Sequence, residues 1–181
     1  QYQTDKIEAE RTIQMGNGNR GNIMIIKNGL VFTPEGKFEK KDLYVEGEYV
    51  AKETTDNKEV EAEGCYVIPG LVDIHFHGCV RHDMCDGTEE SIQALADYEA
   101  ANGVLAICPA TMTIPEEELF QAMKAAKGHK NGKGADLVGI NMEGPFVNKE
   151  KKGAQKEEDI KLADVELFHK LQEAAGGLIK L

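Results

Sequence analysis

No stretch of this chain approaches the ~18 consecutive apolar residues of a membrane span, and no apolar run of signal-peptide type opens it. Neither a membrane nor a secretory route is therefore expected. Cysteine is scarce: Cys65, Cys79, Cys85 and Cys108 include no C-x-x-C pair and are too few for a disulfide scaffold. Reduced thiols in a cytoplasmic setting follow as the expectation. Positive charge is in deficit. Lys and Arg number 21 against 32 Asp and Glu, a net charge of −11 that should repel a phosphate backbone and disfavours nucleic acid as a partner. The chain as a whole is 41% hydrophobic and 29% charged, the composition of a soluble globular chain, too apolar for disorder.

The two ends carry their own signals. The chain opens on Gln1, and residues 14–22 form a Gly/Asn-rich polar tract with neither helical nor strand periodicity. Patterned sequence begins at Met24. Residues 1–23 are therefore expected to be a disordered or non-native leader, with Met24 as the natural start. At the other end, Ala174-Ala175-Gly176-Gly177 reads as a helix stop and Leu178-Ile179-Lys180-Leu181 as the opening of a strand. The expectation is a piece of a longer protein.

Residues 24–64 have the punctuation of a small β domain, expected to be sandwich-like and built from meandering strands. Asn28-Gly29 suits a type I′ hairpin turn, because both residues tolerate positive φ. Further turns are expected at Thr33-Pro34-Glu35-Gly36 and at Glu46-Gly47-Glu48. From residue 65 to residue 181 strands alternate with helices. Cys65–Ile68, Leu71–Ile74, Val104–Ile107, Leu137–Met142 and the residues from Leu178 read as strands. One helix follows a Thr88 cap and ends near Gly103. A second begins at a Thr113-Ile114-Pro115-Glu116 capping box and ends at Gly128. The third is capped by Asp164, with Leu167, Phe168 and Leu171 inward. Near-continuous apolar strands in such alternation mark a parallel α/β sheet covered on both faces. Since 181 residues fall short of the ~250 of a complete (β/α)8 barrel, the expected fold class is α/β, an incomplete barrel of three to four strands preceded by the small β domain.

His75-x-His77 is the first candidate for chemistry. Residues two apart on a strand share a face ~6.6 Å apart, so both imidazoles can converge on one cation at ~2.0–2.1 Å. The pair stands where an apolar strand gives way to a Gly-containing loop, the edge at which parallel sheets place their sites. Two solvated imidazoles are the plainer alternative. Glu143 also follows an apolar strand and reads either as a metal ligand or as a solvated strand-end carboxylate. Asp73 can support an imidazole from behind or simply hydrogen-bond the backbone. His82 and Asp83 lie near enough to line a site, without a required spacing. His129 and His169 read as surface residues, and Cys79, Cys85 and Cys108 as small packing groups.

The run Pro69-Gly70-Leu71-Val72-Asp73-Ile74-His75-Phe76-His77-Gly78 resembles the first-strand motif of the amidohydrolase superfamily. Cys108-Pro109-Ala110-Thr111-Met112-Thr113, Gly139-Ile140-Asn141-Met142-Glu143-Gly144-Pro145-Phe146 and Lys151-Lys152-Gly153-Ala154-Gln155 resemble the N-acetylglucosamine-6-phosphate deacetylase family within it. The likeness runs from about Met24 to Leu181 and covers the first half of that family's enzyme.

The resemblance implies His75, His77 and Glu143 as metal ligands and the Ala154–Gln155 loop as an amino-sugar contact. It implies one or two divalent ions (Zn, Fe, Mn or Co), and an intact His pair is similar to the two-ion branch. The implied activity is hydrolysis of N-acetylglucosamine 6-phosphate to glucosamine 6-phosphate and acetate by a homodimer. The family's catalytic Asp, two further His ligands and most phosphate-binding groups are implied to lie beyond Leu181, so no catalytic residue is expected here and the chain alone should be inactive. Two other readings stand beside this one. Hydantoinase, dihydroorotase or deaminase types would want a bridging carboxylated Lys where this chain offers Glu143. A non-catalytic α/β module would leave the three groups without a role.

Overall fold

The computed structural model describes residues 23–47, 49–54 and 58–181. Apart from Ile23, the leader expected over residues 1–23 lies outside the described residues. The chain divides into two compact units at Gly70 and Leu71.

In the first unit, β1 (Ile23–Phe32), β2 (Phe38–Glu46), β3 (Tyr49–Ala51), β4 (Glu59–Glu61) and β5 (Tyr66–Val67) form one sheet. β1 pairs antiparallel with β2, and β2 with β3. The expected turns after Phe32 and after Glu46 are both present, since Phe32 faces Phe38 and Glu46 faces Tyr49. Asn28-Gly29, however, makes no hairpin. β1 runs straight through it, and the register with β2 shifts between Ile26 and Gly29. Asn28 takes φ 59° and turns its N–H to the Asp42 carboxylate at 2.9 Å, so the dipeptide makes a bulge. Gly29 is required by crowding, because a Cβ there would lie 2.6 Å from Val67 Cγ2.

β4 and β5 both pair with β1 in parallel. The sheet is thus mixed and is neither a meander nor, among the described residues, a two-sheet sandwich. Tyr66 and Val67, expected to lead the α/β segment, instead extend this sheet beside Leu30 and Val31. Met24, Ile26, Val31, Val45 and Ala62 are its buried side chains.

In the second unit, β6 (Leu71–Asp73), β9 (Val104–Ile107) and β10 (Asp136–Leu137) form a parallel sheet in the order β10-β9-β6. Single parallel bridges continue it: Ala110 with Asn141, and Ile140 with Ile179. The strand expected over 137–142 is therefore broken into β10 and these bridges, and the residues after Leu178 do align beside it. A two-strand hairpin, β7 (Gly78–Cys79) and β8 (His82–Asp83), follows β6.

The helices are α1 (Glu89–Ala101), α2 (Glu116–Gly128) and α3 (Val165–Ala174). Thr88 caps α1 by accepting from Ser91 N–H, and Asp164 caps α3 by accepting from Leu167 N–H. The capping box expected from Thr113 does not form. Pro115 stands at the cap of α2 without a side-chain bond, and Thr113 Oγ1 is buried without a partner among the described residues. Ile92, Leu95 and Ala96 of α1, Leu119, Ala122 and Met123 of α2, and Leu167 and Leu171 of α3 pack with Ile107, Leu137 and Ile140 into one core. The result is a mixed α/β chain of several small sheets.

Candidate metal centre

The site begins where β6 ends. Residues 74–77 leave the strand ladder, yet their backbone is tied at each step. Asp73 Oδ1 accepts from His75 N–H at 2.9 Å, and Asn141 Nδ2 donates to Ile74 O at 2.9 Å. Ala110 N–H donates to Phe76 O at 2.6 Å, and Met84 N–H to His77 O at 3.1 Å. Each bond satisfies a backbone group that the strand no longer pairs, and together they brace the segment. Glu143 arrives from the Ile140–Asn141 bridges, followed by Gly144 at φ 98° and a cis peptide to Pro145. Gly144 has no substitute here, because an added Cβ would run into Thr113 Oγ1.

These tethers bring together three side chains from two separate strand ends. His75 Nε2 lies 3.4 Å and His77 Nε2 3.3 Å from the same oxygen, Glu143 Oε2. The rings stand edge to face, with centroids 5.2 Å apart. Charge-assisted N–H···O bonds are shorter, about 2.7–2.9 Å. Two ligands each ~2.0–2.1 Å from a tetrahedral ion are instead about 3.3–3.4 Å apart, which matches both spacings. Among the described residues, His75, His77 and Glu143 are the group of His, Cys, Asp and Glu side chains whose donor atoms lie close enough to hold one ion. Two imidazoles and one carboxylate are a suitable donor set for a borderline divalent metal. His77 Nδ1 is buried and finds no partner among the described residues.

Of the other candidates, Asp73 serves the backbone of His75. Gln155 is buried; it donates to Glu143 Oε1 at 2.7 Å and accepts from Thr113 N–H at 2.6 Å. Ala154 beside it is exposed. His82 bonds Ser91 Oγ at 3.0 Å, and Asp83 caps the short turn Met84–Asp86 by accepting from Cys85 N–H, so both hold local structure. His169 is exposed on α3. His129 is half-buried, and burial pulls its pKa below the usual value against the charges of Glu89 and Asp136. Burial raises the Cys79 and Cys108 thiols and pushes Cys85 up to about 12, as befits packing groups. Asn141 was not legible as part of the site. Its signal is a polar residue two before Glu143 in an otherwise apolar run, and its side chain links the two strand ends.

The fold and this site define an α/β chain that gathers two imidazoles and a carboxylate, side chains able to ligate a metal, at strand ends. No protein-family model matches the sequence. Its sequence is 34% identical over 163 residues to N-acetylglucosamine-6-phosphate deacetylase of Bacillus subtilis (strain 168), covering 87% of this chain and 40% of that protein. Its fold matches a crystal structure of N-acetylglucosamine-6-phosphate deacetylase from Pasteurella multocida with TM-score 0.75 at 21% identity, covering 87% of this chain and 43% of that one. It also matches a variant of the Mycobacterium smegmatis enzyme in complex with N-acetyl-D-glucosamine-6-phosphate, with TM-score 0.70 at 18% identity, over 88% of this chain and 42% of that one. The chain is a homologue of the N-acetylglucosamine-6-phosphate deacetylases, and it spans about 40% of the length of the relatives it matches.

Proposed function

We propose that this chain holds a divalent metal ion on His75, His77 and Glu143 and contributes that site to hydrolysis of the acetamide of N-acetylglucosamine 6-phosphate, releasing glucosamine 6-phosphate and acetate. The observation that carries the reading is the single oxygen, Glu143 Oε2, set 3.4 and 3.3 Å from the two imidazole nitrogens. A bound ion of the Zn, Fe, Mn or Co type would polarise the amide carbonyl and lower the pKa of water from about 15.7 towards ~7. The residues of this chain would hold and orient that ion. His75 and His77 present Nε2 from a braced backbone, Glu143 supplies one oxygen, and the exposed Ala154 is the residue that the resemblance assigns to the sugar.

The parallel unit is read, within the same proposal, as the opening strands of a (β/α)8 barrel whose carboxyl edge carries the site. A homodimer and a phosphorylated amino-sugar substrate belong to that proposal too. The negative net charge of −11 does not oppose an anionic substrate, because a bound cation dominates the field in its own cleft. Equilibrium dialysis against zinc(II) tests the reading. At least one ion per chain is expected, and Glu143→Ala or His75→Ala with His77→Ala should abolish it. Retention no greater than in those variants overturns the metal site. Calorimetric binding of the phosphorylated against the unphosphorylated acetylated sugar to the metal-loaded chain then tests the substrate: tighter binding of the phosphorylated sugar is expected, and equal binding overturns that part of the reading.

A further inference from the structure

The resemblance assigns Gln155 to sugar contact, but its surroundings point elsewhere. The side chain is buried, at 4% exposure, and both ends of its amide are used inside the protein. Its orientation follows from its neighbours. The Thr113 N–H can only donate, so Gln155 Oε1 must face it at 2.6 Å. The amide nitrogen is then directed at Glu143 Oε1, 2.7 Å away, with Met112 Sδ at 3.7 Å. A carboxylate is the acceptor that such a donor needs. Glu143 is thereby divided: Oε1 is held by Gln155, and Oε2 faces His75 and His77.

We infer that Gln155 is a positioning residue that restricts Glu143 to one-oxygen ligation of the cation and fixes which oxygen it offers. The inference rests on the metal-site reading above. A free carboxylate can swing or bind an ion through both oxygens. Here the second oxygen is occupied by a donor that is itself anchored to the backbone at Thr113, immediately before α2. The path runs from the backbone through the Gln155 amide to the carboxylate, and each link is a hydrogen bond of 2.7 Å or less. Removing partners of this kind typically weakens metal affinity by about 10–100-fold.

Cobalt(II) titration of the full 181-residue chain and of its Gln155→Leu variant provides the test. The variant is expected to bind cobalt at least about tenfold more weakly. Its visible bands should also lose intensity, as the released carboxylate adds its second oxygen and coordination number rises. A merely structural role would not change that spectrum in the bound fraction. Equal affinity and an unchanged spectrum in the variant overturn the inference while leaving the metal site intact. Absence of cobalt binding by the parent chain overturns the metal reading and this inference with it. If the variant does not fold by circular dichroism, the parent chain decides through its Gln155 side-chain amide resonances. These should move on addition of one equivalent of zinc(II), and resonances that stay in place overturn the inference.

Discussion

At the scale of single residues the site depends on side chains that cannot be exchanged without consequence. Glu143 is the shared partner of both imidazoles, so Glu143→Gln should weaken zinc(II) binding by more than the ~10–100-fold typical of an outer partner, measured by competition with a chromophoric chelator. Gly144 is fixed by its φ of 98° and by Thr113 Oγ1, which stands where a Cβ would go. Gly144→Ala is expected to cost about 1–3 kcal/mol in urea denaturation, and to lower metal affinity by displacing Glu143. Cys85 makes a different statement. Burial pushes its thiol up to about 12, so at pH 8 it is protonated and should resist iodoacetamide in the folded chain while reacting readily in urea, as mass spectrometry of the labelled peptide would show.

Among the elements, the helices gain their stability from caps and from the faces they bury. Thr88→Ala removes the acceptor for Ser91 N–H and should cost about 1 kcal/mol. Leu171, fully buried on α3, is expected to cost about 2–5 kcal/mol on replacement by Ala. The end of α2 carries a pH dependence. Burial lowers the pKa of His129 from 6.5, so the folded chain binds that proton more weakly than the unfolded one. The stability it contributes is complete above 6.5 and is lost as pH falls below that value. Asp136, facing it, has its own pKa raised by burial and works in the opposite sense, with its contribution lost as pH rises above the carboxylate range. His129→Gln should therefore flatten the thermal-melting profile between neutral pH and the His129 titration.

Across the whole chain, the proposed ligands belong to two strand ends of the 71–181 unit, so on that proposal ion binding and the folding of the unit would be coupled. An ion bound only by the folded state adds about 2.7 kcal/mol when present at 100 times its Kd. Zinc(II) is accordingly expected to raise the melting temperature, chelator to return it, and the Glu143→Gln chain to respond to neither. Among the described residues no helix is long and apolar enough to cross a membrane.

Much of this was fixed by local chemistry and could be read from the chain itself. Thr88 and Asp164 are caps wherever a helix follows them, the α1 and α3 faces follow from spacing, and a His pair at the end of an apolar strand and a later strand-end Glu are the three side chains that the fold gathers. Other features depended on neighbours distant in sequence. Asn28-Gly29 permits either a hairpin or a bulge, and Asp42 and Val67, packed against it, select the bulge. Tyr66-Val67 is a plausible strand for either unit, and pairing with β1 claims it for the first. Gln155 carries no local sign of its task, because that task exists only where the chain brings it against Glu143 and Thr113, 12 and 42 residues away. Composition and periodicity act over a few residues, so they specify elements and donor types. Register and the direction of a carboxylate are decided by contacts across the fold, and only the folded chain supplies those.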